Sequence, residues 1–442
     1  MIHRSVSEWG YLPVEPEGQG AFTRAHADRL IGVARTTSLG GEDGAGVLTD
    51  HHRRLRAQQV VGVIAAPGCT LEILPKIEGL GDGDDEASRT RIRGRLVHML
   101  AVVHDLDLAV GEQTQLETQR STLLEILIGI FCTRLTDVLR HGMPRRYVDL
   151  EDDLPALRGR LDVQRQFTML AASPQRLACR YESFSEDIAL NQVMRATVAR
   201  LSQLSVSPSN QRNLRELMHL YADVAAIPVE ALRWNAIVLD RTNHRWRALR
   251  DLARLLLRGD YQTTSRGPAS GFSLLFAMND LFEAYVARVL ARALRGSDLH
   301  VVAQDRRLYC LTDPGGASRF QVRPDIVVRR GAEAVMVIDT KWKRIAARID
   351  DPKQGVSQAD VYQMMAYGRL YGCPTLMLLY PHHGRLSEAG ETGRYRVVGS
   401  QDELITATLD LAELDVRAQA GGLVHAAISG AAFARAASLS AK

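Results

Sequence analysis

Hydrophobic positions along the chain change rhythm twice. Near the start they come as short β-branched runs: VVGVI at 60–64, and TLEIL at 70–74, closed by Pro75-Lys76. Such runs bounded by breakers predict strands. Further on the period lengthens to that of a helix. Ile92, Leu96, Met99, Leu100 and Val103 share one face, and Leu123, Leu124, Leu127, Ile128, Phe131, Leu135 and Leu139 share another, until Gly142 and Pro144 end the pattern. Residues 190–204, 214–226 and 245–257 predict three more helices. From about 271 both periods are interleaved: an amphipathic helix over 281–294, then strand-like runs around 299–303, 307–311, 325–328, 334–340 and 375–380. The pattern predicts a multidomain α+β protein with a β-rich module over 1–85, a helical middle region over 86–270 and an α/β domain over 271–442. After about 415 the sequence is rich in Ala and Gly and predicts a weak helix or a tail. The Gly-rich stretch 39–49 predicts a loop. GLGDGDDEA at 79–87 predicts a linker, so the first module should be removable with the remainder still folded.

Composition narrows the picture modestly. Of 442 residues, 46% are hydrophobic and 24% charged, and the formal net charge is +4. A globular protein of that balance would meet nucleic acid through a local basic patch, not a global field. The cysteines Cys69, Cys132, Cys179, Cys310 and Cys373 are widely spaced, with no CxxC, so neither a disulfide framework nor a zinc knuckle is expected. The start, MIHRSVSEWG, has no apolar signal core, and no apolar run approaches the roughly 20 residues a membrane span needs. The greasiest stretch, 123–131, is interrupted by Glu125. A reduced cytoplasmic protein is expected. No GxxxxGK[ST], HExxH or GxSxG occurs, so the chain is not expected to hydrolyse nucleotide itself.

The chemistry concentrates in RPDIVVRRGAEAVMVIDTKWK, residues 323–343. Two apolar runs flank a polar turn with Gly331. A hairpin centred near Ala332 would set Asp325 opposite Asp339. Opposed side chains on one face lie roughly 5 Å apart, where like charges repel. Alternation puts Lys341 on the Asp339 face and turns the Thr340 side chain away. A divalent cation would offset the repulsion, and Mg2+ suits hard oxygen ligands completed by waters and a substrate phosphate. Three further groups belong with the hairpin. Glu283, on the helix opening the last region, is a candidate third acid. Gln363 and Tyr367, in VYQMMAYGRLYG, share one helix face at i, i+4, extended by Asp360 and Tyr371. Lys343, Arg344 and Arg348 could touch phosphates. The pairs His51-His52 and His382-His383 lack partners at metal-ligand spacing and read as loop residues.

Pro324-Asp325 followed by Asp339-Thr340-Lys341 resembles the core of PD-(D/E)xK nucleases, and the following Gln363 and Tyr367 resemble its RecB-like branch. The likeness extends along the chain. Leu71-Glu72-Ile73-Leu74-Pro75-Lys76-Ile77, Leu157-Arg158-Gly159-Arg160-Leu161, and Cys179 to Asp187 with Leu190-Asn191 resemble segments of the McrC family, as do Asn279 to Glu283 and Leu379-Tyr380-Pro381. McrC proteins are nuclease subunits of modification-dependent restriction systems. The resemblance spans residues 8–410 and departs at 39–49 and at the Ala-rich end. It implies a PD-(D/E)xK nuclease domain, a McrB-like AAA+ GTPase ring as partner, stimulation of that GTPase, and 5-methylcytosine-containing duplex DNA as substrate. It implies metal ligation by Asp325, Asp339, the Thr340 carbonyl and Glu283. Lys341 would orient or deprotonate the attacking water, and Gln363 and Tyr367 would position the phosphate or support the ligands. The residues alone leave open a RecB-like repair nuclease working with another helicase, or a non-catalytic adaptor that activates an NTPase. The docking module is expected over 1–85.

Overall fold

The computed structural model describes the chain apart from residues 1, 16–20, 78–84, 106–120, 174, 258–270, 306–307, 347, 352–354, 414 and 440–442. Most of the 79–87 linker therefore lies outside the described residues; its last three, Asp85 to Ala87, cap and begin a helix. Contacts divide the chain into two units, Met1–Leu123 with Ala269–Lys442, and Leu124–Pro268. The segments 1–85 and 271–442 thus fall in one unit, together with the helix that follows residue 85.

In that first unit, β1 (Ile2–Ser7), β5 (Val60–Ala66), β6 (Cys69–Leu74) and β10 (Phe272–Ala277) make a four-stranded sheet in the order β1-β6-β5-β10. β1 runs parallel to β6; the other pairs are antiparallel. Both β5 and β6 are buried at every position, which is why they read as continuous apolar runs. Gly62 of β5 sits at φ +134°, and a Cβ there would collide with the Leu274 carbonyl of β10. A small sheet, β2 (Tyr11–Pro13), β3 (Leu48–Asp50) and β4 (Arg54–Ala57), and helix α1 (Arg24–Thr36) complete the N-terminal core. The β-rich reading of 1–85 had no helix. Yet Ala27, Leu30, Ile31 and Ala34 of α1 are buried at helical spacing behind the Thr23 cap.

Helix α2 (Glu86–Val103) is buried nearly all round, including Arg93 at 3% exposure. Arg93 Nε donates to both oxygens of Glu72 at 2.8 and 2.9 Å, and Glu72 also accepts from Ser5 Oγ and the Leu123 N–H. Glu72 is the acid inside the LEILPKI segment, fully buried and fully partnered.

β10 passes directly into α8 (Met278–Ala293). A six-stranded sheet follows, built from β11 (Leu299–Ala303), β14 (Ile326–Arg330), β15 (Glu333–Thr340), β16 (Thr375–Pro381), β17 (Gly390–Arg396) and β18 (Glu403–Leu409) in the order β11-β14-β15-β16-β18-β17. Its centre, β15-β16-β18, is parallel, and α9 (Gln358–Tyr371) forms the crossover from β15 to β16. A separate hairpin, β12 (Leu308–Thr312) with β13 (Ser318–Val322), precedes β14. The Ala-rich end forms α10 (Val416–Leu439), a helix of 24 residues packed on α8 and β18. No helix among the described residues is long and apolar enough to cross a membrane.

The second unit, expected to be helical, holds α3 (Leu123–Leu139, from its second residue), α4 (Val163–Thr168), α5 (Ala189–Leu204), α6 (Pro208–Leu220) and α7 (Arg247–Leu257). It also holds an antiparallel sheet of β7 (Arg146–Leu154), β8 (Arg160–Leu161) and β9 (Leu177–Ser185), in the order β7-β9-β8. That sheet adds strands to a region expected to be mainly helical. RYVDLEDDL in β7 is mostly exposed, so it lacks the one-sided apolar alternation that marks a half-buried strand. Glu125, the acid that interrupts the greasy start of α3, is buried. It accepts from Ser205 Oγ, from the Val206 and Ser207 N–H groups and from Asn210 Nδ2 at 2.6 to 3.1 Å.

Candidate active site

The hairpin β14–β15 has the register the sequence suggested. Ile326 faces Ile338 and Val327 faces Val337, so Asp325, one residue before β14, falls beside Asp339 near the end of β15. The apolar runs on both strands are buried in the sheet, which fixes this register, since a slip of one residue would turn Asp339 to the other face. Asp325 Oδ2 accepts two hydrogen bonds from Thr340, from its N–H at 2.7 Å and from its hydroxyl at 2.8 Å. The Thr340 side chain therefore reaches Asp325 and is not turned away. Asp325 lies before the first ladder pair, where its side chain can lean across the strand end.

Asp339 is 1% exposed. Lys341 Nζ lies 2.6 Å from its Oδ2, and 3.7 Å from Asp360 Oδ1 on α9. Burial pushes the Asp339 carboxyl up to about 6, aided by the negative charge of Asp325 and opposed by Lys341. Burial disfavours the Lys341 charge, but the Asp339 carboxylate outweighs it and lifts the ammonium above its ordinary range. Asp360 is shared with Lys343, whose Nζ is 2.7 Å away.

Gln363 and Tyr367 of α9 connect the two halves of the motif. Lys341 Nζ approaches Gln363 Oε1 at 3.5 Å, Gln363 Nε2 donates to Tyr367 Oη at 2.7 Å, and Tyr367 Oη donates to the Arg323 carbonyl at 3.0 Å. One relay thus runs from the lysine to the residue before Pro324. Tyr367 is buried, so its hydroxyl must be satisfied internally.

Glu283, on α8, is held by Gln304 Nε2 at 2.9 Å. Burial, then the charge of Asp325, push its carboxyl up to about 7. Gln304 was not singled out in the sequence. It follows β11 at φ +48°, its amide oxygen takes Arg323 Nη2 at 2.6 Å, and its N–H donates to the Asp325 carbonyl at 2.7 Å. It ties Glu283, Arg323 and Asp325 together, and nothing in its sequence context signals this. Of the cations expected at phosphate, Lys343 is engaged by Asp360, and Arg348 pairs with Asp350 at 3.0 Å on the surface. His383 lies in the loop after β16, and there it is buried, with Nε2 2.8 Å from the Ile345 carbonyl.

Among the described residues, no three His, Cys, Asp or Glu side chains are already gathered as a metal cluster. Each acid instead has a partner of its own: Thr340 at Asp325, Lys341 at Asp339, Gln304 at Glu283. The donor set still fits a hard divalent cation. Carboxylates of Asp325 and Asp339 adjoin, the second is buried and raised partly by the first, and a cation between them would relieve that repulsion. Magnesium needs only one or two carboxylates besides waters and substrate.

A family model described as "McrBC 5-methylcytosine restriction system component" matches residues 55–381. A search of curated proteins found no significant match. The fold is similar to that of a chain in the refined half-complex from a tetradecameric assembly of Thermococcus gammatolerans McrB AAA+ hexamers with bound McrC. The TM-score is 0.71 at 20% identity, covering 96% of this chain and 99% of that one. A chain of the Thermococcus gammatolerans McrBC complex solved by cryo-EM gives a TM-score of 0.51 at 23% identity, covering 66% of this chain and 88% of that one. Since the matched family model spans most of the sequence, this chain belongs to the family of McrBC 5-methylcytosine restriction system components.

Proposed function

We propose that the chain is the DNA-cutting subunit of a McrBC-type restriction complex, a magnesium-dependent endonuclease with a PD-(D/E)xK domain over 271–442. The observation that carries this reading is the convergence of Asp325, Asp339 and Lys341 at one end of a buried hairpin, backed by Gln363 and Tyr367. Asp325 and Asp339, with the Thr340 carbonyl and Glu283, would hold Mg2+. When bound, the ion polarises the scissile phosphate and acidifies a coordinated water. Lys341, beside the Asp339 carboxylate, would orient or deprotonate the attacking water and offset charge on the phosphoryl oxygens. Gln363 limits where the ammonium can swing, and Tyr367 fixes the Gln363 amide. The test is cleavage of methylated duplex by the purified chain with an AAA+ GTPase partner, GTP and Mg2+. Cutting should require the partner and vanish in Asp339→Ala. Normal cutting by that variant, or robust cutting without partner and nucleotide, overturns the reading.

The partner reading follows from the family and from the lack of any Walker A motif. We place the ring-contacting surface on the second unit's sheet and not on 1–85. Among the described residues of 1–85, only Trp9 and Tyr11 are large exposed apolar side chains, and Arg54 and Arg56 stack on them. Around the second unit's sheet, Tyr147, Leu150, Leu157, Phe167, Met169 and Phe184 are all exposed, with Tyr147 and Phe184 paired at 5.1 Å. The facing rings of Tyr147 and Phe184 make an exposed apolar patch, and such patches mark interaction sites. Tyr147→Ser with Phe184→Ser should abolish stimulation of the partner's GTP hydrolysis while leaving the fold intact. Undiminished stimulation removes this surface from the interface.

A further inference from the structure

Glu8, just past β1, is 2% exposed. Its Oε1 accepts two N–H groups from distant parts of the chain, the Lys76 backbone at 2.9 Å and the Trp342 indole Nε1 at 2.8 Å. Its Oε2 is buried without a hydrogen-bond partner among the described residues. Trp342 is the residue after Lys341. Its ring meets Phe282, the neighbour of Glu283, edge-on at 5.3 Å. Its carbonyl accepts from Gln59 Nε2 at 3.2 Å, and the same amide donates to Asn279 Oδ1 at 3.2 Å. N-terminal residues thus grip both the strand end that carries Lys341 and the helix that carries Glu283.

We propose that Glu8 is a positioning residue for the candidate active site, acting through the Trp342 indole to fix Lys341, with Phe282 passing the same constraint to α8. The inference rests on the nuclease reading above. A buried carboxyl with one oxygen unpartnered among the described residues is less favourable than an apolar contact of the same volume. Packing alone does not explain it. What an apolar side chain cannot supply is one acceptor on which two N–H groups must converge, and that convergence fixes the Trp342 ring in one orientation. Only one peptide separates that ring from Lys341, whose own N–H is anchored to the Leu379 carbonyl at 2.9 Å. A rotation of Trp342 therefore moves the lysine relative to Asp339, and effects of such a shift on turnover far exceed those on binding.

The experiment uses the full chain with its GTPase partner, GTP, Mg2+ and methylated duplex, under single-turnover conditions, with DNA affinity, GTPase stimulation and melting temperature read in parallel. Glu8→Ala and Trp342→Phe should each slow cleavage about 10–100-fold, as loss of a supporting contact does, with DNA affinity and GTPase stimulation unchanged. Glu8→Gln keeps an oxygen acceptor for both N–H groups and should cut close to wild type. The double variant Glu8→Ala, Trp342→Phe should be no slower than the slower single one. Wild-type cutting by folded Glu8→Ala, loss in Glu8→Gln as large as in Glu8→Ala, or multiplied losses in the double variant each overturn the proposal. Should Glu8→Ala fail to fold, Trp342→Phe decides: it keeps the ring against Phe282, and wild-type cutting by it overturns the proposal. Asp339→Ala in the same assay separates the layers. If it cuts normally the nuclease reading fails; if it is inactive while Glu8→Ala and Trp342→Phe cut normally, only the positioning role fails.

Discussion

Ionised Asp339 is held at an energetic disadvantage by burial and by Asp325, and Lys341 recovers only part of it. Removing that charge relieves the folded chain. Asp339→Asn should leave the metal-free melting temperature unchanged or raise it by a few degrees at neutral pH, while cleavage is lost; a large drop would mark Asp339 as a structural ion-pair partner. Lys341→Ala should lose turnover and keep DNA affinity, and an equal loss of both would make the lysine a simple phosphate contact. A third residue sets a pH response away from the site. His98 of α2 packs against Tyr285 of α8 at 6.1 Å, and burial, with Arg95 and Arg292 nearby, pushes its imidazole down to about 4. Its folded value lies below its unfolded one, so the unfolded chain binds the extra proton. Stability is full above about pH 6.5 and falls as pH drops toward 4, by up to about 3 kcal/mol. His98→Gln should flatten the melting-temperature profile between pH 7 and 5; an unchanged slope rules His98 out as its source.

Elements show two buried carboxylates used as joints. Glu125 offers its oxygens to the N–H groups at the start of α6, where the helix dipole favours an anion. Glu125→Ala should cost about 2–4 kcal/mol, because several donors are left unsatisfied at once. Glu72→Ala removes the buried partner of Arg93, leaves it only the more exposed Glu86, and should cost about 2–4 kcal/mol. Denaturant titration of each variant checks both, and a change under about 1 kcal/mol contradicts them. Both acids are visible in the sequence as interruptions of apolar runs, but their roles are not. The same split runs through the whole fold. The β14–β15 hairpin and the Gln363–Tyr367 face were legible because their partners lie within one hairpin or one helical turn. β18 was missed although ELITATL is buried, because its neighbours β16 and β17 are found only by a crossover and a long return. β7 was missed because a strand exposed along most of its length carries no apolar alternation. Gln304 and the Glu8–Trp342 bond are tertiary facts: the second joins residues 334 positions apart, and no local period reports it.

At the scale of the molecule, the sequence suggested a detachable N-terminal module, and the structure of the first unit argues otherwise. β10 has β5 as its partner along its whole length, and β10 runs without a break into the helix bearing Glu283. Excising residues 1–80 removes β1, β5 and β6, and leaves every ladder group of β10 on that edge unpaired. It also strips Glu72 from Arg93 and Glu8 from Trp342. Arg93, buried and left with Glu86 as its anion, loses its buried carboxylate partner at a cost of about 2–4 kcal/mol, against a total stability of about 5–15 kcal/mol for an ordinary domain. The exposed faces of Leu274, Phe272 and the helices that covered the lost sheet add to that loss. The truncated chain 81–442 is therefore expected to lose cooperative unfolding in its first unit, to bind hydrophobic dyes and to be digested rapidly by protease. The second unit, residues 124–268, has its own core and should keep a separate transition. Circular dichroism melts and limited proteolysis of full-length and truncated chains decide the matter. A truncated chain that melts as sharply and as high as the full one would restore the detachable module, and with it the use of such a deletion to map the ring contact. If it unfolds instead, loss of GTPase stimulation on truncation reports unfolding and not docking, and the ring contact must be mapped by surface substitutions alone.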